Sequence, residues 1–269
     1  MKLREVYERI DALYPKKISD DYVAAYGGHD NSGILLDGGH EIAGALFSLD
    51  LSQGAIAAAK AKGFNLIVTH HPAIFFPVSS LRYDDALGAR ILGCAEAGIG
   101  IVSMHLNLDC AEGGIDESLA RALGGKGDLA PEEKVEGGGY GRIFDVPEQT
   151  FSQFSQNAMA ALGTSRAFLY GEGSDPVRRA ASFCGAGVDG GALRRAKAGG
   201  ADVVVSADWK HNFLCDAQEL GLKAVQLTHY ASENFGFKKI YEKLRDRLGV
   251  PCAFPVSYTH LTLPTILRV

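Results

Sequence analysis

The strongest constraint in this chain is that part of it occurs twice. Residues 59–71 read as a helix end, a turn at Gly63 and an apolar strand, and residues 196–208 repeat that pattern without a gap, 137 positions later. Flanking blocks recur in the same order. Residues 45–50 and 181–185 each place a short apolar strand before a turn and a helix, while residues 98–105 and 221–229 run from glycine through an apolar strand to histidine. A repeat of this kind decides the architecture before any motif does. Apolar strands of four to six residues alternating with helices specify an α/β fold with largely parallel sheets. Two copies predict two related α/β domains derived by internal duplication.

The length of 269 residues agrees, at about 150 residues per domain. The 33 glycines suit a chain with many tight strand-to-helix turns, since glycine alone enters positive φ without steric cost. We expect a first domain over 1–127, joined by a returning C-terminal segment 222–256, and a second over 128–221. The stretch 124–140, rich in glycine and charge, reads as the linker. A strand over 142–146, a break at Pro147 and a helix near 151–162 would open the second half. At the N-terminus Leu3, Val6, Tyr7, Ile10 and Leu13 fall at helical spacing, which predicts an amphipathic helix and not a signal peptide.

The formal net charge of −5, with no run of five like charges, argues against a nucleic-acid scaffold. The long uncharged stretch 63–81 contains Asn65, His70, His71, Pro72 and Pro77, groups that a membrane helix would not tolerate. Five cysteines without CxxC spacing predict a reduced, cytoplasmic chain with neither a disulfide framework nor a thiolate zinc site. Cys110 reads as a small buried residue.

The histidines carry the chemistry. His70 and His71 end an apolar strand, the position where α/β proteins place functional groups. His105 and Asp109 follow the next strand at a spacing of four, and His229 and Glu233 repeat that spacing in the second copy. If each segment enters a helical turn, positions four apart share a face. The halves together offer His70, His71, His105, Asp109, His229 and Glu233. Imidazole and carboxylate donors suit Zn, Fe, Mn or Co, and six exceed what one catalytic zinc uses, so two divalent ions are expected. A water shared by such a pair becomes a nucleophile near neutral pH. Asp208 aligns with His71 and is expected to support the site from behind its ligands. His211 is read either as a proton donor or as a surface residue. His40 reads as a hairpin turn, and residues 30–33 as a turn feeding a strand or a polar wall. The glycine run 185–191 is read either as a phosphate cradle or as close packing.

Residues 30–33, 69–72, 103–109, 206–211 and 229–233, in this order, resemble the Nif-three-like dinuclear metal-binding family, whose members are often labelled GTP cyclohydrolase I type 2 homologues. The resemblance covers roughly residues 3 to 254. It implies two α/β domains with a dinuclear metal site in the cleft between them, ligated by the six residues above, and a homohexameric ring. His29 stands where the family usually has Trp, Ser206 and Ala207 replace a common Thr-Gly pair, and Leu106 replaces a Thr. Residues 257–269 correspond to nothing in the family pattern and read as a non-native tail, so His260 is left out of the site.

The expectation is a dinuclear metal-dependent hydrolase in which metal-activated water attacks a small molecule, with ring opening of a nucleotide such as GTP as the chemistry implied by the resemblance and His211 as general acid. A phosphoesterase or amidohydrolase would use the same ligands. The alternative is a non-enzymatic metal-binding protein, a metal chaperone or a regulatory partner of other proteins.

Overall fold

The computed structural model describes residues 1–254, so residues 257–269 and His260 lie outside it. Along the chain run α1 (Leu3–Asp11), α2 (Lys16–Tyr26), β1 (Gly33–Leu36), β2 (Ala45–Ser48), α3 (Gln53–Lys62), β3 (Leu66–Thr69), α4 (Ala86–Glu96), β4 (Gly100–Ser103), α5 (Leu106–Cys110) and α6 (Ile115–Ala122). There follow β5 (Pro131–Val135), β6 (Gly138–Thr150), α7 (Phe151–Ala161), β7 (Ala167–Tyr170), β8 (Pro176–Ser182), α8 (Gly190–Ala198), β9 (Val203–Ala207), α9 (His211–Glu219), β10 (Lys223–Leu227), α10 (His229–Leu244) and β11 (Cys252–Ala253).

Two compact units result. Among the described residues, 1–13, 30–105 and 241–254 form the first, while 14–29 and 106–240 form the second. Residue 127 thus falls inside the second unit, and α2, α5 and α6 group with the second sheet. The first sheet has the order β1-β4-β3-β2-β11, with β1 antiparallel and the others parallel. The second has the order β5-β6-β8-β9-β10-β7, in which β8, β9 and β10 are parallel and β7 runs antiparallel to β10. The order β2-β3-β4-β1 of one sheet is therefore matched by β8-β9-β10-β7 of the other. This is the duplication expected from the sequence.

Local chemistry explains the elements. Ser52 Oγ accepts from the Ala55 amide at the start of α3, and Gly63 ends that helix in the left-handed region at φ 68°. Asp85 caps α4 and Asp189 caps α8 in the same way. The central strands β2, β3, β4 and β9 are buried throughout, as parallel strands covered on both faces must be. Leu46, Ile56, Ile67, Ile91 and Ile101 pack the first core, and Phe183, Leu193, Val204, Trp209 and Leu222 the second.

Three expectations need correction. Residues 124–140 are not a linker: β5 and the start of β6 pair there as an antiparallel hairpin on the edge of the second sheet. Pro147 does not break the strand, because β6 passes through it with a register shift between Asp145 and Gln149 that absorbs the missing donor. His40 is not in a hairpin, since β1 pairs with β4 and not with β2.

The second unit also buries an ion pair. Arg142 on β6 and Asp116 on α6 are 2% and 0% exposed, with Nη1 donating to Oδ2 at 2.9 Å and to the carbonyls of Gly139 and Gly141. Removing one member of such a pair strands the other charge and costs about 3–5 kcal/mol, while replacing both costs much less. Arg142→Met should therefore lower stability in urea denaturation by about that amount. Adding Asp116→Asn should recover part of it; additive losses would show that the two groups are not coupled.

Candidate metal centre

In the first unit three imidazoles gather at the ends of parallel strands. His70 and His71 follow β3 and His105 follows β4, with ring centroids 4.8 Å apart for His70 and His71 and 5.2 Å for His70 and His105. Each ring is held by the same device. His70 Nδ1 donates to the Met104 carbonyl at 2.9 Å, His71 Nδ1 to Asp50 Oδ1 at 2.7 Å and His105 Nδ1 to Asp30 Oδ1 at 2.7 Å. A carbonyl can only accept, so the proton of a neutral His70 sits on Nδ1 and the Nε2 lone pair faces away from it. A metal-binding histidine is set up in this manner, its second nitrogen oriented by a carbonyl or carboxylate.

The turn at 30–33 serves two ends. Asp30 Oδ2 accepts from the Ser32 amide at 3.0 Å, which forms the turn that feeds β1, while its other oxygen holds His105. Ser32 Oγ accepts from the His105 amide at 2.9 Å, and Asn31 Nδ2 donates to the Ile74 carbonyl at 2.6 Å. Phe75 meets the His105 ring edge-to-face at 5.9 Å.

In the second unit two acids join a histidine. His229 opens α10 and Glu233 lies one turn on, its Oε1 3.0 Å from His229 Nε2, so the spacing of four does put both on one helix face. His229 Nδ1 donates to Asp208 Oδ2 at 2.6 Å. Asp208 thus stands behind a histidine, as its alignment with His71 led us to expect. It is the one non-glycine residue of positive φ among the described residues, at 47°. Asp109, on α5, and Glu233 are 4% and 3% exposed.

Cys184 joins them, and sequence reasoning missed it. Donor atoms of Asp109, Cys184 and Glu233 lie within 4.8 Å of one another, all buried, a grouping able to hold a metal ion. Cys184 Sγ donates to Asp109 Oδ1 at 3.3 Å. Burial first, then the neighbouring carboxylates, push its thiol well above the ordinary range. The signal that could have found it was position: Cys184 lies just past the end of β8, the second-copy counterpart of β2. Cys110, as expected, is a buried free thiol pushed upward by burial.

The glycine run after β8 is a packing device. At Gly185, φ 57°, an added Cβ would lie 2.3 Å from Glu233 Oε1, and at Gly187 it would lie 1.9 Å from the Tyr140 hydroxyl. The following helix N-terminus is already capped by the Asp189 carboxylate, which disfavours a phosphate there. His211 opens α9, with Nε2 3.7 Å from Cys215 Sγ. It lines a cavity of about 550 Å³ with Tyr170, Asp175, Cys215, Gln218 and Lys223, a lining that includes none of the six expected ligands.

With strand-end imidazoles and buried acids in place, comparison with known proteins is decisive. The model of the Duf34/NIF3 (NGG1p interacting factor 3) family matches residues 1–260. The chain belongs to that family. A Clostridium perfringens relative named GTP cyclohydrolase 1 type 2 homolog is 30% identical over 261 residues, covering 96% of each chain. A solved Bacillus cereus protein related to NIF3 matches with a TM-score of 0.85 at 20% identity, over 97% of this chain and 98% of its own. The Staphylococcus aureus hypothetical protein SA1388 gives 0.84 at 23% identity, over 98% and 99%. These two structures establish the NIF3 fold for the chain. No helix of the described residues is long and apolar enough to cross a membrane.

The close approach of Gly185 to Glu233 yields a test. Gly185→Ala must leave the left-handed region or displace a buried carboxylate, and should lower stability by about 1–3 kcal/mol. Thermal unfolding measures this; an unchanged midpoint would mean that the glycine does not serve the approach of Glu233.

Proposed function

We propose that this NIF3-family chain is a metal-dependent hydrolase of small molecules, holding two divalent cations (Zn, Fe or Mn) through His70, His71, His105, Asp109, His229 and Glu233. The observation that carries the reading is the shared orientation of the four imidazoles, each with Nδ1 donating to a fixed acceptor. Nε2 is then the ligating atom in every case. The buried acids support it as well. Asp109 and Glu233 are buried carboxylates, and divalent ions would neutralise them.

When bound, such ions supply Lewis acidity and acidify water. The residues of the chain do the rest. Asp30, Asp50 and Asp208 fix ring orientation and raise imidazole basicity through the Nδ1 hydrogen bonds. Asp109 and Glu233 set the charge of the site. Protonation of the leaving group is proposed for His211, the first residue of α9, although the lining of the cavity it faces includes none of the six ligands. The name shared by the relatives supports a nucleotide substrate, with hydrolytic ring opening of GTP as the first activity to assay. A cytoplasmic location is part of the same proposal, in keeping with five cysteines that lack disulfide or zinc-finger spacing.

Metal analysis after purification without chelator should give two equivalents per chain, and His71→Ala or Glu233→Ala should lose at least one. Zero or one equivalent under metal-replete conditions would overturn the two-ion reading. Turnover of GTP, other nucleotides, phosphodiesters and cyclic amides by the loaded protein tests the hydrolase. Inertness to all of these, with ready release of metal to an acceptor apoprotein, would favour a metal chaperone. His211→Ala should lower turnover by about 10²–10⁴-fold with metal content intact, and an unaffected rate would remove it from the mechanism.

The chain is further proposed to assemble as a homohexamer. Support comes from β7, an edge strand whose Phe168 is 68% exposed beside exposed Leu169 and Tyr170. Such an edge invites pairing unless an assembly covers it. Light scattering should give six chains for the native protein and fewer for Phe168→Asp; a native monomer would refute the assembly.

A further inference from the structure

We propose that Cys184 Sγ is a ligand of the cation held by Asp109 and Glu233, so that the centre contains sulfur and favours Zn or Fe(II) over Mn. The proposal rests on the two-ion reading above and adds a seventh donor to it.

Geometry comes first. A sulfur about 2.3 Å and an oxygen about 2.1 Å from one zinc, subtending 90–110°, lie about 3.1–3.6 Å apart. The observed separation of Cys184 Sγ and Asp109 Oδ1 is 3.3 Å. The three donors belong to one compact unit and all are buried.

The backbone around Cys184 is also fixed from three sides. Its amide donates to Asp116 Oδ1 at 3.2 Å, and its carbonyl accepts from the Tyr140 hydroxyl. The next amide, of Gly185, donates to Ser232 Oγ at 3.1 Å, and Ser232 precedes Glu233. Asp116 is in turn anchored by the buried Arg142. Here the thiol is set against two carboxylates, an arrangement that a cation completes.

On binding, the S–H bond breaks and its proton leaves to solvent as the sulfur–metal bond forms. The thiol–carboxylate hydrogen bond is exchanged for joint ligation by Sγ and Asp109. Thiolate donors favour Zn and Fe(II), whereas oxygen-rich sites suit Mn.

Cobalt substitution tests this without an activity assay. The native protein loaded with Co(II) should show a near-ultraviolet sulfur-to-cobalt charge-transfer band beside the visible d–d bands. Cys184→Ser and Cys184→Ala should lose the former, and Cys110→Ala should keep it. Zinc affinity should fall on the order of 10-fold in Cys184→Ser, with a smaller change for Mn. Visible d–d bands without a charge-transfer band in the native protein would overturn the sulfur ligand and leave the two-ion reading standing. Failure to take up cobalt at all would overturn that reading, and the sulfur ligand with it.

Discussion

The hydrogen bond from imidazole Nδ1 to a fixed acceptor is the constraint on which the candidate centre depends. An imidazole at a strand end has two rotatable bonds and two possible tautomers, and an acceptor at Nδ1 removes most of that freedom. The acceptors are placed by the fold: Met104 by the end of β4, Asp50 by the turn after β2, Asp30 by the turn into β1 and Asp208 by the turn after β9. The buried strands of each sheet therefore act at a distance, holding turns whose carboxylates hold the rings.

Much of the α/β architecture was legible because parallel central strands leave a plain trace. β3 and β9 are continuous apolar runs that follow glycine turns. What failed to read correctly lay at the edges. Pro131 and the glycines at 137–139 look like breakers, yet an edge strand tolerates proline, and the glycines answer to close contact. An added Cβ at Gly138 would lie 1.9 Å from the Cys110 carbonyl, a long-range approach invisible to local pattern. The grouping of α2, α5 and α6 with the second sheet is likewise a matter of tertiary packing, on which helical periodicity is silent.

The six histidine and acid positions could be listed from the sequence because spacing and strand-end placement both mark them. Their supports were harder to see. Asp208 was found by alignment of the copies, whereas Asp50 carries no motif of its own and acquires its role only when β2 and β3 lie side by side. Cys184 carries no such mark, because paired cysteines announce a zinc site by their spacing whereas a lone thiol among carboxylates has none.

The repeat sets His71 and Asp208 at equivalent places, and the two copies have used that place differently. In the first copy the turn after the strand presents an imidazole. In the second it presents the carboxylate that steadies one, and it does so from a left-handed backbone that glycine would adopt at less cost. Glycine at this place would relieve the backbone but supply no acceptor for His229 Nδ1. The presence of Asp208 marks a point where the molecule gives up robustness to keep one ring facing the right way, and the two halves of this duplicated protein are not interchangeable there.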